Sequence, residues 1–207
     1  TFAYRLRLFA KATDFYRNRV EALAQMDAAM RNIELKARIT DYERVCRVSE
    51  ELSGGPPTII HQVDTFYKVN NGRMKMRKYA DHSATLVRYD RADHGGPKLS
   101  NYELIDFPVA DAARASLLNE ILKKSLGVCG KVVKERKLYM VDTNRIHIDT
   151  VQDLGRFIEV EVMLLPDEPM MHGEAYAWEM ITKLGIQFED LVDCAYVDLL
   201  NKKQKKK

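Results

Sequence analysis

The chain of 207 residues is poor in cysteine, with only Cys46, Cys129 and Cys194, far apart in sequence. None forms a C-x-x-C pair, and one would be left over after any pairing, which excludes a disulfide framework or a zinc site and points to a reducing compartment. No apolar run approaches the roughly 20 residues of a membrane-spanning helix, and no secretory h-region is visible. A charge excess is missing too. The formal net charge is +3, and the five lysines at 202, 203, 205, 206 and 207 more than account for it. The remainder is slightly acidic, which argues against a broadly basic nucleic-acid surface. Together these absences predict a cytoplasmic protein that engages neither membrane nor nucleic acid. The common catalytic and nucleotide-binding motifs are absent as well: G-x-x-x-x-G-K-[ST], G-x-G-x-x-G, H-E-x-x-H and G-x-S-x-G. There is no internal repeat and no clear interdomain linker, and the length suffices for one domain with a sizeable core.

What is present is alternation. In the stretch Asn32-Ile33-Glu34-Leu35-Lys36-Ala37-Arg38-Ile39 the apolar residues fall on one face of a strand and the polar ones on the other. One such strand is ordinarily half-exposed with a solvated face. Here the pattern recurs in Arg73-Met74-Lys75-Met76-Arg77, around Lys134-Glu135-Arg136, in Arg145-Ile146-His147-Ile148-Asp149 and in Phe157-Ile158-Glu159-Val160-Glu161-Val162.

Residues 1–29 carry a rough helical stripe of Phe2, Leu6, Phe9, Tyr16, Val20 and Leu23 and are expected to form a helical extension, although a mitochondrial presequence has the same look. Thr40-Asp41-Tyr42-Glu43 reads as a capping box opening a helix that ends at Ser53-Gly54-Gly55-Pro56-Pro57. Strands are predicted at 58–69 and 73–77 around an Asn70-Asn71-Gly72 turn, then at 85–90 and 101–107. A helix follows from Asp111 to Gly127, with Leu117, Leu118, Ile121, Leu122 and Leu126 as its stripe. Strands at 131–141, 144–149 and 156–164 and helices at about 173–184 and 189–200 complete the order. Trp178 and the nine methionines read as core, and the lysine tail from 202 as disordered.

This order gives an α+β fold. The helices need the apolar strand faces, so the charged faces point away from them. An open sheet would leave those faces wet, and a closed one would make them line an interior. If the face is enclosed, Lys36, Lys75, Arg77, Lys134, Arg136 and Arg145 need an anion, because unpaired buried cations are too costly. Glu34, Asp149, Glu159 and Glu161 would be repelled by that anion unless they hold Mg²⁺ or Mn²⁺, hard ions that bridge carboxylates to phosphates. His61, His82, His94 and His172 have no ligand-like spacing and read as surface or packing residues, whereas His147 lies on the charged face.

These residues together resemble the CYTH family, the triphosphate tunnel metalloenzymes, which include class IV adenylate cyclases, thiamine triphosphatases and inorganic tripolyphosphatases. The family's E-x-E-x-K motif stands here as Asn32-Ile33-Glu34-Leu35-Lys36, with its first Glu replaced by Asn. Lys75-Met76-Arg77, Lys134-Glu135-Arg136, Arg145, Asp149, Leu154-Gly155 and Glu159-Val160-Glu161 follow in the family's order. Ala195-Tyr196-Val197-Asp198-Leu199-Leu200 looks like the closing helix of the cyclase-like branch. The resemblance implies a closed eight-stranded antiparallel tunnel with a charged interior over residues 30–201. It implies Lys36, Arg136 and Glu161 as catalytic residues. Lys36, Arg38, Lys75, Arg77, Arg88, Lys134, Arg136 and Arg145 would bind a linear triphosphate, and Glu34, Asp149, Glu159 and Glu161 would hold the metal. A hydrolase acting on inorganic triphosphate is the expected activity, with an adenylate cyclase or a non-catalytic polyphosphate- or nucleotide-binding module as the alternatives.

Overall fold

The computed structural model describes residues 30–205, so the helical extension expected over 1–29 lies outside the described residues, as do Lys206 and Lys207. Eight antiparallel strands close into a barrel: β1 (Met30–Arg38), β2 (Thr58–Tyr67), β3 (Arg73–Tyr79), β4 (Ala84–Arg91), β5 (Lys98–Phe107), β6 (Val128–Val141), β7 (Asn144–Val151) and β8 (Gly155–Leu164), in the order β1-β5-β4-β3-β2-β6-β7-β8 with β8 paired back to β1. Closure leaves none of these strands with an unpaired edge.

The alternation in β1 settles which face turns inward. Ile33, Leu35 and Ala37 are fully buried on the outer face, in a core with Val45, Met180, Ile181 and Leu184. Asn32, Glu34 and Lys36 therefore face the barrel interior. Among the described residues four helices lie around the barrel: α1 (Tyr42–Ser53), α2 (Ala112–Leu126), α3 (Met170–Leu184) and α4 (Tyr196–Gln204). At Gly173 of α3 a Cβ would come within 2.7 Å of Ile33 Cγ1 and 2.9 Å of Leu164 Cδ2, so only glycine lets the helix lie this close to β1 and β8.

Four local expectations differ from the structure. Helix α1 is capped by Asp41 rather than Thr40, the Asp41 carboxylate accepting from the Arg44 amide at 3.1 Å. Helix α2 turns Leu118, Leu122 and Leu126 to the barrel but leaves Leu117 and Ile121 outward, 63% and 50% exposed. Trp178 and the methionines Met140, Met170 and Met171 are exposed rather than core, and Trp178 stacks on the exposed Phe188 at 6.3 Å between ring centroids. The last helix does not run over 189–200. Phe188–Asp190 makes a single 3₁₀ turn, residues 191–195 cross the barrel end, and α4 begins only at Tyr196 and carries Lys202 and Lys203 in its last turn.

Candidate active site

The crossing segment closes one end of the barrel. Leu191 bridges Ala37 of β1, the Val192 amide donates to Lys36 O at 2.9 Å, and Lys98 Nζ donates to Val192 O at 2.8 Å. These bonds set the start of α4 over the opening, where the Tyr196 ring lies 5.0 Å from the Phe157 ring and under Lys36 Nζ at 4.2 Å. Behind this cover the interior is a cavity of about 480 Å³. Seven Lys/Arg side chains line it against four Asp/Glu. The lining is therefore positive by three charges, and an enclosed imbalance of that size calls for an anionic ligand.

Two of the cation groups are built alike. On β3, Arg77 stands directly across the ladder from Asp64 of β2. Arg77 donates from Nε to Asp64 Oδ1 and from Nη2 to Oδ2, both at 2.8 Å, and Lys75 Nζ donates to Oδ2 at 3.0 Å. On β6, Arg136 stands across from Asp149 of β7. Arg136 Nε donates to Asp149 Oδ1 at 2.7 Å, Nη2 to Oδ2 at 2.6 Å, and Lys134 Nζ to Oδ2 at 2.9 Å. The alternation of a strand makes this possible: in Lys-x-Arg both cations share a face, so one carboxylate on the next strand reaches both. Burial alone would raise the Asp64 and Asp149 carboxyls, but the paired Arg and Lys charges outweigh it and hold both well below the usual carboxylate range. Burial, followed by repulsion from Arg77, pulls the Lys75 ammonium down to about 8.

A different group occupies β1, β7 and β8. Glu159 accepts from Lys36 Nζ and Arg136 Nη2, each at 2.6 Å, and Glu161 accepts from Arg145 at 3.2 Å. Glu34 lies opposite Glu161 in the β1–β8 register and is paired with Arg91 and Lys36. Lys36 and Arg136 outweigh burial and keep Glu159 ionised, and burial together with Arg136 pushes the His147 imidazole below its ordinary value. One donor atom each of His147, Glu159 and Glu161 lie within 4.8 Å of one another. These donors suit a divalent cation: two are carboxylates, and His147 Nδ1 is buried without a hydrogen-bond partner. Asn32 Oδ1, Gln62 Oε1 and Arg91 Nε are likewise buried without a hydrogen-bond partner, and all three residues border the same cavity. Buried polar atoms are ordinarily satisfied, so this concentration points to a polar ligand.

The cavity brings together Glu34, Lys36, Lys75, Arg77, Lys134, Arg136, Arg145, Glu159 and Glu161 from the sequence expectation. Three others do not border it. Arg38 is exposed at the strand end, over the Phe157 ring. Arg88 turns outward toward Asp90 and Glu103, because Val87, Tyr89 and Arg91 take the inner positions of β4. Asp149 is wholly buried, and its oxygens accept from Arg136, Lys134 and Tyr196 Oη, the last at 3.0 Å, so it anchors cations instead of facing a metal. Asp64, Arg91 and Tyr196 were not foreseen. Asp64 had a legible signal, since Gln62 and Asp64 share one strand face with Ile60 and Phe66. Arg91 lies just beyond the predicted strand end, and Tyr196 depends on a helix start that the sequence blurred.

A CYTH domain model matches residues 30–196, which spans the barrel and the first residue of α4. No match is found among curated proteins. Among solved structures, the PH1012 protein from Pyrococcus horikoshii OT3 is similar at 22% identity, covering 81% of this chain and 98% of that one, with a TM-score of 0.66. A putative adenylate cyclase from Vibrio parahaemolyticus matches at 13% identity over 84% and 99% of the two chains, TM-score 0.63. The putative adenylyl cyclase HpAC1 from Hippeastrum, described as having a dominant triphosphatase activity, matches at 14% identity over 83% and 96%, TM-score 0.58. At these identities the likeness is one of fold.

Proposed function

The chain belongs to the CYTH domain family, and we propose that it is a divalent-metal-dependent triphosphatase acting on a linear triphosphate. The observation that carries this reading is the cavity itself: two Lys-x-Arg clamps and a surplus of positive charge on its walls, with a histidine–carboxylate cluster beside them. Arg binds phosphate oxygens through its planar fork and Lys as a point charge, so the clamps seat a chain of phosphates without any covalent chemistry. His147, Glu159 and Glu161 would hold Mg²⁺ or Mn²⁺, with Glu34 and Asn32 on the same strand face nearby. When bound, that ion neutralises phosphate charge and acidifies water. Glu161, kept ionised against burial by His147 first and then by Arg145 and Arg136, orients a water in line with the terminal phosphorus. As the bond to the bridging oxygen breaks, Arg136 and Lys36 stabilise charge on the transferring group, and Lys75 and Arg77 stabilise it on the departing phosphates.

A specific feature favours an organic triphosphate as the second reading. On β6 the lining runs Lys134, Arg136, Leu138, Met140 away from Tyr196, and Ile60, Tyr79 and Tyr102 also border the cavity. That apolar stretch beyond the cations suits an organic group carried on the outermost phosphate.

The test is a screen of inorganic triphosphate, ATP, GTP and thiamine triphosphate with Mg²⁺ and with Mn²⁺, reading phosphate release and cyclic nucleotide together. Metal-dependent phosphate release from at least one substrate is expected. Cyclic nucleotide with pyrophosphate would make the protein a cyclase, and tight binding without turnover would make it a binding module. Within the same assay, Arg136→Ala should lower kcat/KM about ten- to a hundredfold, the loss of a charge-assisted contact worth about 1.5–3 kcal/mol. Unchanged kinetics in that variant would remove Arg136 from the site.

A further inference from the structure

The two clamps share atoms and geometry but not surroundings. Asp149 lies beneath the cavity lining, accepts a third partner in Tyr196 Oη, and holds an Arg136 that also reaches Glu159. Asp64 borders the cavity and is the sole carboxylate within hydrogen-bond reach of Lys75 and Arg77 among the described residues. Its carboxylate uses two of the five N–H groups of Arg77 and one of the three of Lys75. The donors left over belong to side chains that stay 15% and 13% exposed, and both side chains border the cavity. The unit of Asp64, Lys75 and Arg77 thus carries one net positive charge, where its two cations alone would carry two.

We propose that Asp64 is a positioning residue for turnover. It locks Lys75 and Arg77 into a preformed seat for the departing phosphates, and it trims the charge of that seat so that the diphosphate product leaves. This rests on the triphosphatase reading. The physical reason is a balance of two needs. A fork held by two parallel hydrogen bonds loses little freedom when phosphate arrives, which favours the transition state. An enclosed seat carrying two full charges would hold the product as firmly as the substrate, and uniform tight binding does not accelerate turnover.

The experiment measures pyrophosphate and inorganic triphosphate binding by calorimetry without added metal at about pH 6, well below the Lys75 value of about 8 so that its ammonium stays charged, alongside kcat and pyrophosphate inhibition with metal. Asp64→Asn keeps the shape and one acceptor but removes the charge. It should bind pyrophosphate about tenfold tighter, the scale of one partly screened unit charge at this range, and turn over about tenfold more slowly. The double variant Asp64→Asn/Lys75→Met restores the net charge and should return pyrophosphate affinity to within about threefold of the wild type. A merely structural Asp64 would instead weaken binding or leave it unchanged in Asp64→Asn, and that result overturns the proposal. If Asp64→Asn fails to fold, Asp64→Glu carries the test. It keeps the charge while displacing the carboxylate, so kcat should fall with pyrophosphate affinity held, and lost affinity with intact kcat overturns the proposal. Wild-type protein that binds neither anion overturns the triphosphatase reading and this inference together. Wild-type turnover with no tightening in Asp64→Asn overturns the role of Asp64 alone.

Discussion

Lys75 shows how burial tunes a single side chain. Its ammonium is pulled to about 8, with Arg77 and Lys134 adding repulsion that Asp64 only partly offsets. A base with a lowered value is charged below it and neutral above it, so the empty cavity loses this cation as pH rises through about 8. A bound phosphate favours the charged form and moves the titration upward. The expected result is a kcat/KM for triphosphate that declines above about pH 8 while kcat holds to higher pH, and Lys75→Met should abolish that limb of the kcat/KM profile. Asn32 raises a second matter of charge. Its Oδ1 is buried, unpartnered and on the cavity face, two residues from Glu34. Asn32→Glu adds a carboxylate to the cation's surroundings and should lower the Mg²⁺ concentration needed for half-maximal rate. A metal titration unchanged by the substitution would remove Asn32 from that role. Alternation made most of these residues legible in the sequence, because Lys-x-Arg and Glu-x-Glu fix a shared face wherever the strand lies. Arg88 could not be placed that way, since its strand has charged residues on both faces and only the ladder with β3 and β5 decides between them.

At the scale of elements, the closing segment and α4 define the site's depth, and they are where pattern reading failed. A helical period through 189–200 is outweighed by the bonds that Val192 makes to β1 and to Lys98, which hold the backbone extended. Long-range bonds of that kind leave no local trace. Gly130 of β6 is the contact that lets α4 settle, because a Cβ there would lie 2.4 Å from Val197 Cγ2, while Asn201 donates to the neighbouring Cys129 carbonyl at 3.1 Å. Gly130→Ala should therefore cost about 1–3 kcal/mol through overpacking, read as a lower denaturant midpoint with the slope unchanged. An unchanged midpoint would mean that α4 shifts freely on the barrel. The succession of strands along the chain was readable from hairpin turns and alternation, whereas the pairings of β1 with β5 and of β2 with β6, which no hairpin links, were not. Alternation alone left closure open, because the same pattern serves an open sheet with one wet face; the family resemblance implied the closed barrel that the structure has.

For the molecule as a whole, the charges inside the barrel tie stability to pH. Asp64, Asp149 and Glu159 all lie below their ordinary range in the folded state. Between the folded and unfolded values the unfolded chain binds more protons, so stability falls as pH drops. The unfolding temperature should begin to fall below about pH 6.5, where a free imidazole protonates and the buried His147 resists, and drop steeply below about pH 4, where free carboxylates protonate. Constant stability down to pH 3 would show that these pairs contribute nothing. The covered end of the barrel has a consequence for what can be read at all. Tyr196 borders the cavity beneath Lys36 Nζ, so a chain of phosphates running the length of the barrel would meet this cover. A phosphate in the middle of a long polymer has chain on both sides and would need both ends of the barrel clear. Under the proposed triphosphatase reading, that cover favours trimming a long polyphosphate from its termini over cutting it internally.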